Sequence, residues 1–273
     1  MAREFLEFAS ELAVEAGGLL ADYLGRKLIV SKKGRINLVT EADLQSEELL
    51  VSRIFERFPG HSILAEESGA RQLGEKVSEF RWIIDPLDGT TNFAHRYPFF
   101  CVSIALEING RLEVGVVYDP IARELFTAAR GEGARLNGHS IQVSAETSLG
   151  ESLVCTGFAY DRDEILKNLK LFQEFMLKSR AVRRVGSAAL DLCYVAAGRF
   201  EGFWELSLNP WDVAAGALIM AEAGGTVSRF DGTPARLEIP EIVATNGPIH
   251  EQMLEIIQEG LACVSGRQPA DSR

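Results

Sequence analysis

Arg81-Trp82-Ile83-Ile84-Asp85-Pro86-Leu87-Asp88-Gly89-Thr90-Thr91-Asn92 reads as a buried strand that breaks off in an acidic turn. The apolar run ends in a carboxylate, Asp85, and Pro86 forces the chain to turn because it cannot continue a ladder. A second carboxylate, Asp88, follows three residues after the first. Gly89 admits backbone conformations that other residues resist, and Thr90 or Thr91 can cap a helical turn starting there. Such a turn aims two carboxylates into one pocket beside backbone N–H groups. Hard oxygen donors suit Mg2+, and N–H groups at a helix start favour phosphate. The spacing alone fits a capped turn with two solvated aspartates equally well.

Downstream of the turn the pattern stays strand-like. Residues 101–108 and 112–118 flank Asn109-Gly110, a hairpin signal, and residues 124–129 and 141–143 continue the sheet around Asn137-Gly138. An antiparallel meander is expected. Upstream, Phe5, Phe8, Ala9, Leu12, Ala13, Ala16, Leu19, Leu20 and Tyr23 recur at helical spacing. A second helix is expected from about Thr40 to Pro59-Gly60, with Leu44, Leu49, Leu50, Ile54 and Phe55 inward. Past residue 150 the two patterns alternate. Strands are expected at 153–158, 182–185, 203–206, 226–230 and 242–245, and helices at 163–178, 187–197, 210–223 and 249–257.

The expected fold class is therefore α/β. An α+β N-terminal half (1–148) with an antiparallel sheet joins an α/β C-terminal half (149–263) in one catalytic unit, followed by a polar, frayed tail (264–273).

With 273 residues, 47% hydrophobic and 25% charged, the chain falls outside collagen-like and disordered classes. Its net charge of −11 repels a nucleic-acid backbone, which argues against nucleic acid as main ligand. A phosphorylated small substrate is also an anion, so it calls for a local positive centre such as a bound cation. Cys101, Cys155, Cys193 and Cys263 are widely spaced, without a CxxC pair, which suits a reducing compartment. Early charges at Arg3, Glu4, Glu7 and Glu11 deny a signal-peptide core, and no apolar run approaches the roughly 18 residues that span a bilayer. A cytoplasmic protein away from membranes is expected.

Two further acidic features stand out. Glu66-Glu67 follows the apolar run Ile63-Leu64-Ala65, and Asp212 sits in Asn209-Pro210-Trp211-Asp212, a helix-start pattern. Taken singly, the first fits a solvated loop and the second a complement to the helix macrodipole.

In order along the chain come four motifs: Asn37-Leu38-Val39-Thr40-Glu41-Ala42-Asp43, Ala65-Glu66-Glu67-Ser68, Trp82 to Phe93, and Trp211-Asp212-Val213-Ala214-Ala215-Gly216 with Glu222-Ala223-Gly224-Gly225 behind it. Gly186-Ser187-Ala188 and Trp204-Glu205-Leu206 lie between the last two. Together they resemble the inositol monophosphatase family over nearly the whole length. The resemblance implies a layered α-β-α-β-α sandwich of the inositol monophosphatase and fructose-1,6-bisphosphatase type, a homodimer, sensitivity to lithium, and two to three Mg2+ per active site. It implies that Glu66, Asp85 and the Leu87 carbonyl hold one Mg2+, that Asp85, Asp88 and Asp212 hold another, and that Glu66 serves a weaker third through water. Thr90, supported by Asp43, would orient the attacking water. The phosphate would lie over Gly89 and Thr90, and Ala188 and Glu205 would face the substrate hydroxyls with Asp88 and Asp212 nearby. Lys32 matches a lysine near the phosphate, with Lys33 beside it as the alternative.

Rival chemistries fit less well. Cys193 and Arg199 have the Cys-x5-Arg spacing of cysteine phosphatases, but Ala188, Leu192, Val195 and Ala196 surround Cys193 at helical spacing. Asp85 and Asp88 are three apart, whereas a haloacid-dehalogenase-like phosphatase needs two aspartates two apart. The histidines (His61, His95, His139, His250) are scattered. The leading expectation is a Mg-dependent phosphomonoesterase acting on inositol monophosphate, or another small phosphorylated polyol or sugar. Same-fold alternatives are fructose-1,6-bisphosphatase, histidinol-phosphatase and adenosine 3′,5′-bisphosphate phosphatase. A second class is a regulatory binding protein with residual phosphatase activity.

Overall fold

A computed structural model describes residues 2–26, 30–32, 38–73 and 78–264, without the side chains of residues 30–32, 38, 263 and 264. It opens with α1 (Ala2–Leu24), which buries Phe5, Ala9, Leu12, Ala13, Ala16 and Leu20 at three- and four-residue intervals. A ribbon of β1 (Val30–Lys32) and β2 (Leu38–Thr40) leads into α2 (Glu41–Arg57). Thr40 and Asp43 start α2 with a reciprocal capping box.

The next strands are β3 (Ser62–Ala65), β4 (Gly69–Gln72) and β5 (Phe80–Asp88), followed by the short helix α3 (Thr90–Ala94). Then come β6 (Cys101–Ile108), β7 (Arg111–Asp119), β8 (Glu124–Ala129), β9 (Ala134–Leu136) and β10 (His139–Ser140). They form one sheet in the order β10-β9-β8-β7-β6-β5-β3-β4. From β5 to β10 it is the expected antiparallel meander, while β3 runs parallel to β5. Asn109-Gly110 and Asn137-Gly138 both turn with positive φ, as two-residue hairpins require.

One expected strand is absent. Ile141 still bonds to the Ala134 carbonyl of β9, but Val143 bonds to the Ala223 carbonyl, so residues 141–143 run off the sheet edge toward that residue and add no strand.

The second half contains β11 (Leu153–Thr156), α4 (Arg162–Lys178), β12 (Ala181–Arg183), α5 (Ala188–Ala196) and β13 (Gly202–Leu206). It continues with α6 (Pro210–Glu222), β14 (Thr226–Ser228), β15 (Glu241–Thr245) and α7 (His250–Val264). Its sheet runs β12-β11-β13-β15-β14, with β11 parallel to both neighbours and β15 antiparallel to both of its own. β11 and β12 stop earlier than the sequence pattern suggests because Gly157, Phe158 and Arg184 turn into a cleft instead.

Helices α1 and α2 cover one face of the larger sheet, α5 and α6 fill the space between the sheets, and α4 and α7 cover the far face of the smaller one. The fold is thus an α-β-α-β-α sandwich. A strand buried on both faces has no use for polar alternation. Along β5, Trp82 and Ile84 accordingly pack among the α1 and α2 side chains while Ile83 faces α5 and α6. Among the described residues no helix is long and apolar enough to cross a membrane. Residues 265–273, most of the expected tail, lie outside the described residues.

Candidate active site

The end of β5 explains how two acids three residues apart share a pocket. Asp85 pairs with Ser103 and Asp88 with Cys101, so three steps on β5 answer two on β6. In a regular strand, residues three apart point to opposite faces. The extra residue of this bulge cancels that alternation. The strand thus runs on through Pro86, where the sequence predicts a turn. The bulge is braced by Ser46 of α2, whose hydroxyl donates to the Pro86 carbonyl at 2.9 Å, and by the Leu87 N–H, which donates to Asp85 Oδ1 at 3.0 Å.

Gly89 begins α3 with φ of 96°, and a Cβ there would sit 3.0 Å from the Phe99 carbonyl oxygen and 3.1 Å from Phe100 Cβ. Gly89→Ala is therefore expected to cost about 1–3 kcal/mol of stability and to lower turnover. Thermal denaturation and phosphate release on the same samples test this. An alanine variant melting with the parent would show that the positive φ is not enforced.

Thr90 Oγ1 lies 3.0 Å from Asp43 Oδ1 and 3.1 Å from the Leu87 carbonyl. Asp43 is fully buried, and its other oxygen accepts from the Thr40 N–H at 2.8 Å and the Thr40 hydroxyl at 2.6 Å. Burial pushes its carboxyl above the usual range, against the pull of the hydrogen bonds from Thr40 and Thr90.

The C-terminal half presents two helix N-termini to the same place. Asp88 Oδ2 accepts from the Ser187 hydroxyl at 2.7 Å and the Ala189 N–H at 2.8 Å, both at the start of α5. Asp212 Oδ2 accepts from the Asn209 N–H at 2.6 Å within the α6 capping box, where Pro210 occupies the first helical position. Asn92 of α3 ties the halves together by donating to the Phe99 and Val185 carbonyls, both at 2.8 Å.

Glu66, Asp85, Leu87, Asp88, Gly89, Thr90, Ala188, Glu205 and Asp212 all line one cavity of about 190 Å3. Asp43 stands behind Thr90. The remaining expected site residue is Lys32: its backbone lies in β1, and its side chain, like all of Lys33, is outside the described residues.

Burial, then Glu66, Asp88 and Asp212, push the Asp85 carboxyl well up. Asp88 is raised by burial against its hydrogen bonds to Ser187 and α5. Burial raises Asp212 to about 8, with Asp88 and Glu66 adding to the effect. Glu205 is pushed up by burial, then by Asp212 and Asp88, and Arg184 opposes this. Among the described residues Arg184 is the one basic side chain lining the cavity. Of the five acids that line the pocket, Glu66, Asp85, Asp88 and Asp212 are the hard-oxygen donor set that a small divalent cation satisfies. Among the described residues no three His, Cys, Asp or Glu side chains are already gathered into a metal cage. The fit rests on donor chemistry and mutual repulsion.

Ser187, Asn92 and Tyr160 were not singled out from the sequence. Gly186-Ser187 ahead of an apolar run carried a capping signal for Ser187. Tyr160, 3.3 Å from the Thr91 hydroxyl, lies between β11 and α4, where no periodicity marks it. Cys193 lies inside α5 and is buried, and burial pushes its thiol well up. It does not stand at a strand end, so the Cys-x5-Arg spacing is coincidental.

The sequence profile of the inositol monophosphatase family matches residues 1–262. The chain belongs to this family of phosphatases. It is 50% identical over 257 residues to an inositol-1-monophosphatase of Synechocystis sp., covering 93% of this chain and 88% of that one. It is 43% identical over 262 residues to a protein of Pseudomonas aeruginosa named Nus factor SuhB, covering 94% and 96% of the two chains. An inositol monophosphatase structure from Anabaena (Nostoc) sp. superposes with a TM-score of 0.85 at 47% identity, covering 94% of this chain and 96% of the other. The resemblance seen in the motifs thus extends across the inositol monophosphatase fold.

Proposed function

We propose that the chain is a Mg-dependent phosphomonoesterase that hydrolyses inositol monophosphate by direct attack of water. The observation that carries this reading is the convergence of Glu66, Asp85, Asp88 and Asp212 on the cavity that also holds Thr90. Asp85 would be shared between two Mg2+, with Glu66 and the Leu87 carbonyl on one side and Asp88 and Asp212 on the other. When bound, Mg2+ supplies charge neutralisation for the phosphoryl group and a lowered pKa for water.

The chain's own residues supply the positioning. With its proton directed to Asp43, the Thr90 hydroxyl turns its lone pairs to the pocket, where it can accept a hydrogen bond from water and orient it. The backbone N–H groups at the start of α3, around Gly89 and Thr90, would seat the phosphate. Glu205 and the Ala188 backbone face the space where substrate hydroxyls would lie, and a carboxylate accepts from hydroxyls. Inhibition by millimolar lithium, a homodimer and a cytoplasmic location belong to the same reading.

Phosphate release from inositol 1-phosphate, fructose 1,6-bisphosphate, histidinol phosphate and adenosine 3′,5′-bisphosphate, with Mg2+ and then with EDTA, tests the reading. EDTA-sensitive turnover dominated by inositol 1-phosphate is expected. A preference for another ester replaces the substrate, and no metal-dependent turnover on any ester overturns the chemistry.

A second reading, a binding role, draws on the relatives named Nus factor SuhB and on the outer face of α4. Leu166, Leu169, Met176 and Leu177 are about half or more exposed there. Isolated surface leucines are ordinary, but a stripe along one helix suits a protein partner.

A further inference from the structure

The space around Glu205 is shaped by residues that belong neither to the acidic cluster nor to the Thr90 pair. Glu205 follows Trp204 on β13, so the two side chains leave opposite faces of the smaller sheet. Trp204 is buried on the α4 and α7 side, stacked on Phe175 with ring centroids 4.0 Å apart. Its Nε1–H donates to Asn168 Oδ1 at 2.7 Å. The Asn168 amide donates in turn to Thr156 Oγ1 at 3.1 Å and to the Gly157 carbonyl. The Thr156 hydroxyl closes the ring by donating to the Trp204 carbonyl at 2.6 Å. Asn168, Thr156 and Trp204 are all at most 1% exposed, so every bond in this ring is shielded from water.

On the opposite face the Glu205 carboxylate lies directly against Gly157, and a methyl group added there would overlap it. Gly157 thus joins the buried ring, through its carbonyl, to the carboxylate, through its bare α-carbon.

We propose that Gly157 and Asn168 are positioning residues for Glu205: Asn168 fixes the end of β11 against β13, and Gly157 provides the flat seat that holds the carboxylate toward the substrate hydroxyls. The inference rests on the reading of Glu205 as the hydroxyl-recognising group. Asn168 lies on α4, remote in sequence from the motifs of the site, and its side chain does not line the cavity. Its effect on selectivity passes through the buried ring to Gly157 and to the β13 backbone that carries Glu205.

The test compares kcat/KM for inositol 1-phosphate with that for phenyl phosphate, which has no alcohol groups for Glu205 to read. Gly157→Ala is expected to lower the inositol-to-phenyl ratio roughly tenfold, mainly through KM for inositol 1-phosphate. Asn168→Ala should lower the same ratio and the melting temperature together. In a Glu205→Ala background the Gly157 methyl meets no carboxylate, so Gly157→Ala should cause no further loss of the ratio. A purely structural role would instead reduce both substrates by one factor, or add in full to Glu205→Ala, and either result overturns the proposal.

If Glu205→Ala lowers the ratio and Gly157→Ala does not, recognition by Glu205 stands and the positioning inference is wrong. If Glu205→Ala itself leaves the ratio unchanged, the recognition reading fails and the inference falls with it. Circular dichroism reports whether Gly157→Ala folds. Should it not, the ratio measured for Asn168→Ala decides in the same way.

Discussion

Asp88→Asn is expected to lower Mg-dependent turnover more than about a hundredfold, the upper range for loss of groups that only support a metal ligand. The variant should remain folded. One oxygen of Asp88 is already committed to the Ser187 hydroxyl and the Ala189 N–H, which leaves the other for a cation. An amide can satisfy only one of those demands. With its oxygen kept at the start of α5, the amide nitrogen, a donor, faces the cation. Turned over, it sets donor against donor at α5. Neither orientation restores the lost negative charge. The α5 contact survives in the first orientation, so the melting temperature without Mg2+ should hold or rise. Near-normal turnover with Mg2+ saturating would remove Asp88 from the metal set. The same variant separates the two functional readings, because binding of a protein partner should persist when hydrolysis does not.

Much of this arrangement was legible before the structure. Apolar runs located β5, β6 and β7, and Asn109-Gly110 located the hairpin between β6 and β7, because these depend on local residue chemistry. The sequence marks Gly89 as a place where the backbone can adopt conformations that other residues resist, and the structure makes it a left-handed one.

The rest depends on distant partners. No spacing rule tells that Val143 bonds to the Ala223 carbonyl and not along a sheet edge. The β5 bulge exists because β6 pairs across it, and β6 follows later in the chain. For the same reason the acids at Glu66 and Asp212 read singly as ordinary loop and helix-cap residues. The motif resemblance, and not their spacing, joined them to Asp85. The buried ring of Thr156, Asn168 and Trp204 gave no signal, since an asparagine inside an amphipathic helix normally marks its wet side.

The second large effect is the stability of the metal-free protein as pH rises. Burial, then Asp88 and Glu66, raise the folded-state pKa of Asp212 to about 8, against 3.8 for the ordinary aspartate. Asp85 and Asp88 move in the same direction. Below about pH 4 the folded and unfolded chains are both protonated at these positions, and the groups do not discriminate between them. Between about pH 4 and 8 the unfolded chain releases protons that the folded chain retains. The folded state then binds more protons, so its stability falls as pH rises. The loss is complete once pH passes the folded pKa, and it is on the order of 5 kcal/mol for a group such as Asp212. In EDTA the melting temperature should therefore fall by roughly 10 °C between pH 5 and 8. Saturating Mg2+ favours the ionised carboxylates in the folded state, so it should flatten the slope and raise the melting temperature most at pH 8. Asp85→Asn removes a buried carboxylate that Glu66, Asp88 and Asp212 all repel, and it should raise the melting temperature at pH 8 in EDTA while abolishing most of the gain from Mg2+. Equal slopes with EDTA and with Mg2+ would mean that the four acids do not form one electrostatic unit, and the cation site assigned to them would have to be abandoned.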